Sequence, residues 1–185
     1  ATTRGSTAYS LRLARNLAGH GVCPRVFCGD ARQLDPATRV ELPLVGFPYL
    51  LMPVFGRVVL EGMARELKAS PPDLIHIQSR SVLGHGIRLA QRLQKPYVAT
   101  VHDFLPPREK LQVDLARCRK IIAVSKAVQS DLLSRGNLPD ELVTMIHTGV
   151  DIFDGPSVPV LDPGHVPVIG TAGPLEAVKG LTFFL

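Results

Sequence analysis

Apolar and polar residues follow two periods along the chain, and these periods predict alternating strands and helices. Apolar positions spaced by three and four residues predict helices. Their apolar faces lie at Ala8–Ala18, Leu60–Leu67 and Leu83–Leu93, and further helices are expected at about Glu109–Arg117 and at 126–136. Short apolar runs predict buried strands. These strands are "VCPRVFCG", "DLIHIQS", "YVATV", "KIIAVS" and "LVTMIH".

Polar residues and glycines mark the ends of these helices. Ser6 or Thr7 is expected to cap the first helix, and Ser125 caps the helix that closes at Gly136. Strands that alternate with helices, and that are apolar on both faces, predict a parallel sheet covered on both sides. The fold class is therefore α/β, a doubly wound, Rossmann-like parallel sheet.

The domain organisation follows from a change in composition near residue 150. Residues 1–150 carry the strands and helices, whereas residues 151–166 are rich in Pro, Gly and Asp and are expected to be a linker. Residues 167–185 start a new strand, turn and helix. No strand precedes the first helix, although the first strand of a doubly wound fold lies inside the sheet. We therefore expect the chain to be truncated at both ends.

One uncharged segment, Leu42–Gly56, raises the question of membrane contact. Pro43, Pro48 and Pro53 interrupt it, and each would break a helix, so it cannot span a bilayer as one helix. We expect a loop that packs over the core. The alternative is a surface that touches lipid.

The composition favours a globular protein with an anionic partner of small size. The net charge is +5, but the 21 Lys and Arg residues are scattered and aromatic residues make up only 5%. A nucleic-acid-binding surface would need a basic stripe with aromatic residues, so no nucleic acid partner is expected. Cys23, Cys28 and Cys118 have no metal-binding spacing and indicate small buried residues in a reducing compartment.

A polar pair ends the predicted strand "YVATV". His102 and Asp103 follow it directly, and Pro106 and Pro107 prevent further regular structure. Ligands of open α/β sheets bind outside the carboxyl ends of the strands, so this pair is a candidate site. His76, within a buried strand pattern, is expected to be a satisfied core residue.

Six segments in order resemble the family-four retaining glycosyltransferases, which have the GT-B architecture of two Rossmann-like domains. They are "RGSTAYSLRLARNLAGHGV", "PDLIHIQS", "KPYVATVHD", "KIIAVSKAVQSDL", "VTMIHTGVD" and "GPLEAVKG". The resemblance implies an enzyme that moves a sugar from a nucleotide-diphosphate sugar to an acceptor hydroxyl with retention. Residues 1–150 would be the acceptor-side domain, and residues 167–185 would begin the donor-binding domain. The 185-residue chain alone is expected to transfer nothing.

The resemblance also implies site residues. Arg4 and Gly5 match the loop before the first helix, where main-chain N–H groups approach the donor phosphates. His102 matches a histidine that lies against the donor sugar, and Asp103 would orient that ring or cap the next turn. His102 is the candidate catalytic residue.

Residues near the carboxyl terminus complete the implied site and depart from the family pattern. The family motif G-R-L-x-x-x-K-G is represented by Gly173, Pro174 and Lys179. Lys179 can contact phosphate, but Pro174 replaces the arginine of the diphosphate clamp. Thr148 replaces an asparagine in the "NGVD" motif. These two departures favour an alternative, a non-catalytic glycosyltransferase-like partner protein.

Other functions are weighed against this one. A dinucleotide-dependent oxidoreductase would need a G-x-G-x-x-G run, which the sequence lacks. A nucleotide-sugar 2-epimerase of GT-B architecture fits the six segments less well. The resemblance implies no cofactor and no metal. The implied acceptor is a carbohydrate or a lipid-linked molecule, and the expected location is the cytoplasm, with peripheral contact at the inner face of the membrane left open.

Overall fold

The computed structural model describes residues 5–31, 34, 36–150, 152, 155, 166, 170 and 181–183. The chain divides into two units, Ala1–Gly149 and Val150–Leu185. The first unit contains all the helices and strands discussed below. In the second, Leu181–Phe183 form a single 3₁₀ turn.

Five α-helices lie in the described part of the first unit. They are α1 (Gly5–Ala18), α2 (Pro36–Glu41), α3 (Phe55–Ala69), α4 (Leu83–Leu93) and α5 (Lys126–Gly136). The predicted apolar face of α3 is confirmed, since Leu60, Met63, Ala64 and Leu67 are all buried. Ser125 caps α5 as predicted, because its hydroxyl accepts a hydrogen bond from the Val128 N–H.

Within the residues that the structure describes, six strands form two parallel sheets. The strands are β1 (Val26–Cys28), β2 (Leu44–Gly46), β3 (Ile75–Ile77), β4 (Tyr97–Val101), β5 (Cys118–Ala123) and β6 (Val143–Met145). One sheet pairs β1 with β2, and the other has the order β3-β4-β5-β6. Every pairing is parallel, which confirms the predicted fold class. A usual doubly wound order has a strand between β1 and β3, and the described residues supply none there.

The main core lies against the four-stranded sheet. Ile121 and Ala123 of β5, Ala90 of α4 and Leu132 of α5 are fully buried in it. A second cluster packs α3 against α4, and a third packs Leu11 and Ala14 of α1 around Leu42, beside β1 and β2. Helix α1 therefore covers the smaller sheet.

The predicted helix at Glu109–Arg117 is wrong. These residues form turns and irregular structure, since non-local contacts outweigh the local helical pattern. Leu105 and Leu111 bury their side chains in the main core, and the Asp114 N–H donates to the hydroxyl of Tyr97 at 2.9 Å. A helix over the same residues would break the last of these contacts.

The segment Leu42–Gly56 also differs from the expected simple loop. Leu44–Gly46 pair with β1 as a strand, and the short helix α2 precedes them without a clear apolar period in the sequence. Gly56, the second residue of α3, packs against Leu50, whose carbonyl oxygen would collide with any Cβ at that position. Only a glycine permits this close approach.

Two smaller expectations also need correction. Helix α1 begins at Gly5, so Ser6 and Thr7 lie inside its first turn rather than at its cap. Cys118 is buried and Cys28 is partly buried, but Cys23 is exposed, because it lies in the polar connection after α1. Among the described residues, no helix is both long and apolar enough to cross a membrane.

Candidate functional site

The candidate site lies at the carboxyl ends of β3 and β4. These strands are parallel neighbours, with Ile77 opposite Ala99, so the residues that follow them leave the sheet at the same edge. Gln78 follows β3, and His102 follows β4. This common edge brings together two polar residues that are distant in sequence.

Helix α1 crosses this edge and contacts both strand ends. The ring of Tyr9 meets the imidazole of His102 in a T-shaped arrangement, with centroids 5.1 Å apart and an interplanar angle of 74°. The hydroxyl of Ser10 donates to the Ser6 carbonyl oxygen at 2.8 Å and lies 3.4 Å from Oε1 of Gln78. Arg12 donates to the carbonyl oxygen of Gly149, beyond β6, at 2.8 Å. These three contacts fix α1 along the sheet edge.

The imidazole of His102 is incompletely paired. Its Nε2 atom is buried and has no hydrogen-bond partner among the described residues. Burial lowers the pKa of His102 below its ordinary value, while the charge of Asp103 and the nearby main chain of Gln78 oppose this effect. A buried acceptor or donor left unpaired costs about 1–3 kcal/mol, so a ligand that paired with it would recover that energy.

His76 stands beside this site but is satisfied within the protein. Its Nε2 lies 2.8 Å from the hydroxyl of Thr100, a side chain that is 1% exposed. Burial, with a smaller contribution from His102, lowers the pKa of His76 to about 4. The expectation of a satisfied core histidine is therefore confirmed, and this residue is neutral at pH 7.

The chain after His102 is held firmly by α5. The N–H of Leu105 donates to Oδ2 of Asp131 at 2.8 Å, and the carbonyl of Leu105 accepts from Arg135. Leu105 itself is buried in the main core. Because β4 fixes the chain before His102 and α5 fixes it after, the position of this imidazole is well defined.

The structure brings together only some of the predicted site residues. Gly5 is the exposed first residue of α1, one turn before Tyr9, and Asp103 is exposed beside His102. Arg4, Gly173 and Lys179 lie outside the described residues, as does Pro174. The roles of all these residues remain predictions.

Three residues of the site were not predicted. Gln78 could have been found by the same argument as His102, because it is the first polar residue after an apolar strand. Tyr9 and Ser10 gave no such signal, since they lie within an amphipathic helix and reach the site only through packing. Their involvement depends on how α1 crosses the sheet.

Two surface cavities lie elsewhere. One, of 390 Å³, is lined by α4 and residues 112–114, where Gln91 and Asp114 already pair with each other at 2.9 Å. The other, of 470 Å³, lies between the end of α1 and Pro43. Across the described ranges, no cluster of three or more His, Cys, Asp or Glu side chains has the arrangement of a metal site.

Comparison with known families gives this geometry a context. A model of Glycosyltransferase Family 4 matches residues 3–152, which is most of the chain. The chain belongs to this family. Its candidate site, at the carboxyl edge of β3 and β4, lies entirely within the matched region of the glycosyltransferase domain. No curated protein matches the sequence.

Solved structures show the same fold. Anabaena HepE, solved in complex with UDP and glucose, matches with a TM-score of 0.59 and 18% identity over 81% of this chain and 42% of its own. The same protein with UDP-glucose gives a TM-score of 0.58 at 17% identity, again over 81% and 42% of the two chains. A glycosyltransferase from Rickettsia africae ESF-5 gives 0.62 at 17% identity, over 82% and 41%. The chain thus spans about two fifths of the length of these glycosyltransferases.

Proposed function

We propose that this chain forms the acceptor-side part of an enzyme that transfers a sugar from a nucleotide-diphosphate sugar to an acceptor hydroxyl with retention of configuration. The observation that carries the proposal is the unpaired, buried Nε2 of His102 at the carboxyl edge of the sheet. Family membership gives this edge its context, and a relative of the same fold is solved with UDP-glucose. Residues 151–166 would be the linker, and residues 167–185 would begin the donor-binding domain.

The proposed mechanism relies on electrostatics and positioning. The acceptor hydroxyl attacks on the face of the sugar from which the nucleotide diphosphate departs, and negative charge builds on that diphosphate. The N-terminus of α1 at Gly5 carries a partial positive charge and no acidic residue in its first turn, which suits an approaching phosphate. Arg4 and Lys179 would add fixed cations. His102 would hold a sugar hydroxyl in place.

Because Pro174 replaces the arginine of the diphosphate clamp, the rate of sugar transfer from the nucleotide donor has to be measured directly. Losing one charge-assisted hydrogen bond to the diphosphate costs about 1.5–3 kcal/mol, which corresponds to a rate lower by one to two powers of ten. The alternative is a glycosyltransferase-like partner protein that binds without turnover, and Pro174 with Thr148 favours it. Binding of UDP-glucose without any transfer would support this alternative.

The test uses the protein encoded by the native reading frame that contains this chain. Transfer of labelled glucose from UDP-glucose is measured for the wild type and for His102→Gln, with His20→Gln, an exposed histidine at the end of α1, as the matched control. We expect kcat/KM to fall about tenfold in His102→Gln alone. NMR of the product's anomeric proton reports retention. Transfer by residues 1–185 alone would refute the domain assignment.

We also propose that the acceptor side contacts a membrane surface. The apolar patch, defined by six exposed residues, lies at the turn before α3 and in its first turns. Its residues are Tyr49, Leu51, Met52, Val54, Phe55 and Val58. The rings of Tyr49 and Phe55 lie 6.3 Å apart, so these two residues of the patch are neighbours. The exposed Arg57 lies within it, and the net charge of +5 favours an anionic surface.

Vesicle sedimentation tests this contact. The chain is expected to bind vesicles of phosphatidylglycerol more strongly than vesicles of phosphatidylcholine, and V54S/F55S should reduce binding to both. The matched control is Val40→Ser, which changes an isolated valine on α2 that is 89% exposed. Equal binding of the wild type and the double variant would exclude the patch as a lipid contact.

A further inference from the structure

We propose that the turn at residues 106–110 binds an anionic group of the acceptor, a phosphate or a carboxylate, and that Arg108 is the residue that selects it. This inference rests on the proposed function for the bound molecule being an acceptor. The conformation, the anchoring and the charges of the turn carry the inference.

Arg108 has a backbone conformation that residues with a side chain disfavour. Its φ angle is 66°, in the left-handed region that glycine adopts most easily. The Glu109 N–H donates to the Pro106 carbonyl oxygen at 3.1 Å, so these residues form a tight turn with Arg108 in the third position. Turns with a positive φ angle at this position usually carry glycine or asparagine there. An arginine in such a place points to a role for its side chain.

Contacts with α5 hold the turn in this conformation. The guanidinium of Arg135 donates to the carbonyl oxygens of both Leu105 and Pro106, the latter at 3.2 Å. The Leu105 N–H donates to Asp131 at 2.8 Å, and Asp131 pairs with Arg135 at 2.8 Å. Pro107 has its φ angle fixed by its own ring, near the value that the second position of a turn needs. The turn is therefore ordered before any ligand binds, which lowers the entropic cost of binding.

The acidic residue of the turn is paired within the protein, whereas its two cations are exposed. The carboxylate of Glu109 lies 3.7 Å from the guanidinium of Arg80, in the 3₁₀ turn after β3. Arg108 and Lys110, on either side of it, have no ion pair or side-chain hydrogen bond among the described residues. An anion near both cations reduces the repulsion between them. A guanidinium pairs with a phosphate or a carboxylate through two N–H groups, so Arg108 is the more selective of the two.

The turn lies at the same edge of the sheet as the candidate site. It follows β4 and His102, and the contact between Glu109 and Arg80 ties it to the chain that leaves β3. A molecule that places a hydroxyl against His102 therefore has an anion site along the same edge. A neutral acceptor would leave Arg108 without a partner. The acceptor class that fits is thus an acidic sugar, a sugar phosphate or a lipid phosphate.

The first test is the thermal stability of Arg108→Gly. Glycine adopts a positive φ angle without strain, so this variant should melt about 2–4 °C above the wild type. The same variant should bind anions more weakly, because it lacks the guanidinium. Gln94→Gly is the matched control, since Gln94 also has a positive φ angle, of 54°, but lies at the end of α4. The absence of a rise in melting temperature in Arg108→Gly would show that Arg108 is not strained and would overturn the inference.

The second test is an NMR titration of the ¹⁵N-labelled chain at pH 7, followed at the main-chain signals of residues 106–110. The probes are glycerol phosphate, glucuronate and a short-chain phosphatidylglycerol, with glucose as the neutral reference. We expect at least one anionic probe to bind, with its Kd raised about tenfold or more in Arg108→Gly and several-fold in Lys110→Ala. Gln94→Gly should leave the Kd unchanged. So should Arg39→Ala, which removes an exposed cation from α2.

The probe that binds most tightly identifies the source of the anionic group. Glycerol phosphate stands for a soluble phosphate, glucuronate for an acidic sugar, and phosphatidylglycerol for a lipid phosphate. Binding of glucose as tight as that of the anions, no binding of any anion, or equal Kd values for the wild type and Arg108→Gly would overturn the inference.

The titration uses no nucleotide sugar and is independent of sugar transfer. A protein that binds an anion at Arg108 but transfers no sugar would refute the proposed function alone. An active transferase in which Arg108→Gly leaves anion binding unchanged would refute only this inference.

Discussion

Tyr9 of α1 and His102 at the end of β4 meet ring to ring, 5.1 Å between centroids and inclined by 74°. The contact joins the N-terminal half of a helix to the carboxyl edge of the sheet. T-shaped aromatic pairs contribute about 0.5–1.5 kcal/mol beyond the area they bury. It therefore both stabilises the fold and positions an imidazole whose buried Nε2 has no hydrogen-bond partner among the described residues.

A double-mutant cycle should measure this contact. We expect Tyr9→Leu and His102→Asn to be coupled by about 0.5–1.5 kcal/mol in the free energy of unfolding, measured in urea. Tyr9→Phe retains the ring and serves as the control, with little or no loss of coupling. Additive effects of Tyr9→Leu and His102→Asn would contradict a direct interaction.

The stability of the chain should fall in mild acid because of His76. Its pKa is about 4 in the folded state against an ordinary value of 6.5, so the unfolded chain takes up a proton first. Stability from this residue is complete above pH 6.5 and is lost as the pH falls to about 4. This difference between the pKa values of the folded and unfolded states corresponds to a loss of at most about 3 kcal/mol in the free energy of unfolding.

Urea unfolding at pH 7.5 and pH 4.5 checks this dependence. His76→Gln removes the titrating ring, so the stability of this variant should change less between the two pH values than that of the wild type. His20→Gln, on an exposed residue, should behave as the wild type does. The same acid loss in His76→Gln as in the wild type would assign the effect to other groups.

The N-terminal cap of α5 should contribute about 1 kcal/mol to the free energy of unfolding. Ser125 accepts from the Val128 N–H at 3.2 Å, and removing such a cap typically costs 0.5–2 kcal/mol. We expect Ser125→Ala to lower the unfolding free energy by about this amount. Ser134→Ala is the control on the same helix, since its exposed hydroxyl returns to the main-chain carbonyls of Ser130, at 2.7 Å, and of Asp131, at 3.4 Å. Equal effects of the two changes would argue against the capping contact.

Two glycines of α4 should respond in opposite directions to alanine. A Cβ at Gly86 would lie 2.6 Å from Cδ1 and Cγ1 of the buried Ile77, whereas one at Gly84 would meet nothing within 4 Å. Gly86→Ala should destabilise by about 1–3 kcal/mol through overpacking. Gly84→Ala should be neutral or stabilising by up to about 1 kcal/mol, through helix propensity. Thermal unfolding of both variants measures these two effects on stability. Stabilisation by Gly86→Ala would mean that α4 packs less closely on β3.

The sequence alone was sufficient to predict an element wherever a local pattern of residues coincided with burial. The period of α3 identified four of its buried residues, and the apolar run before His102 identified β4 and its end. Ser125 was recognised as a cap because capping is a contact between residues three positions apart. In each case the physical cause lies within a few residues of the element it determines.

Only the tertiary structure decided the features that depend on distant contacts. Residues 109–117 have a helical pattern in the sequence. Their conformation is nevertheless set by the core contacts of Leu111 and by the hydrogen bond between Asp114 and Tyr97. The sequence by itself determined that His102 ends a central strand of a parallel sheet. The ring of Tyr9 comes from α1, and only the packing of that helix brings it against the imidazole. The surroundings of the imidazole depend on this packing, and no local pattern encodes it.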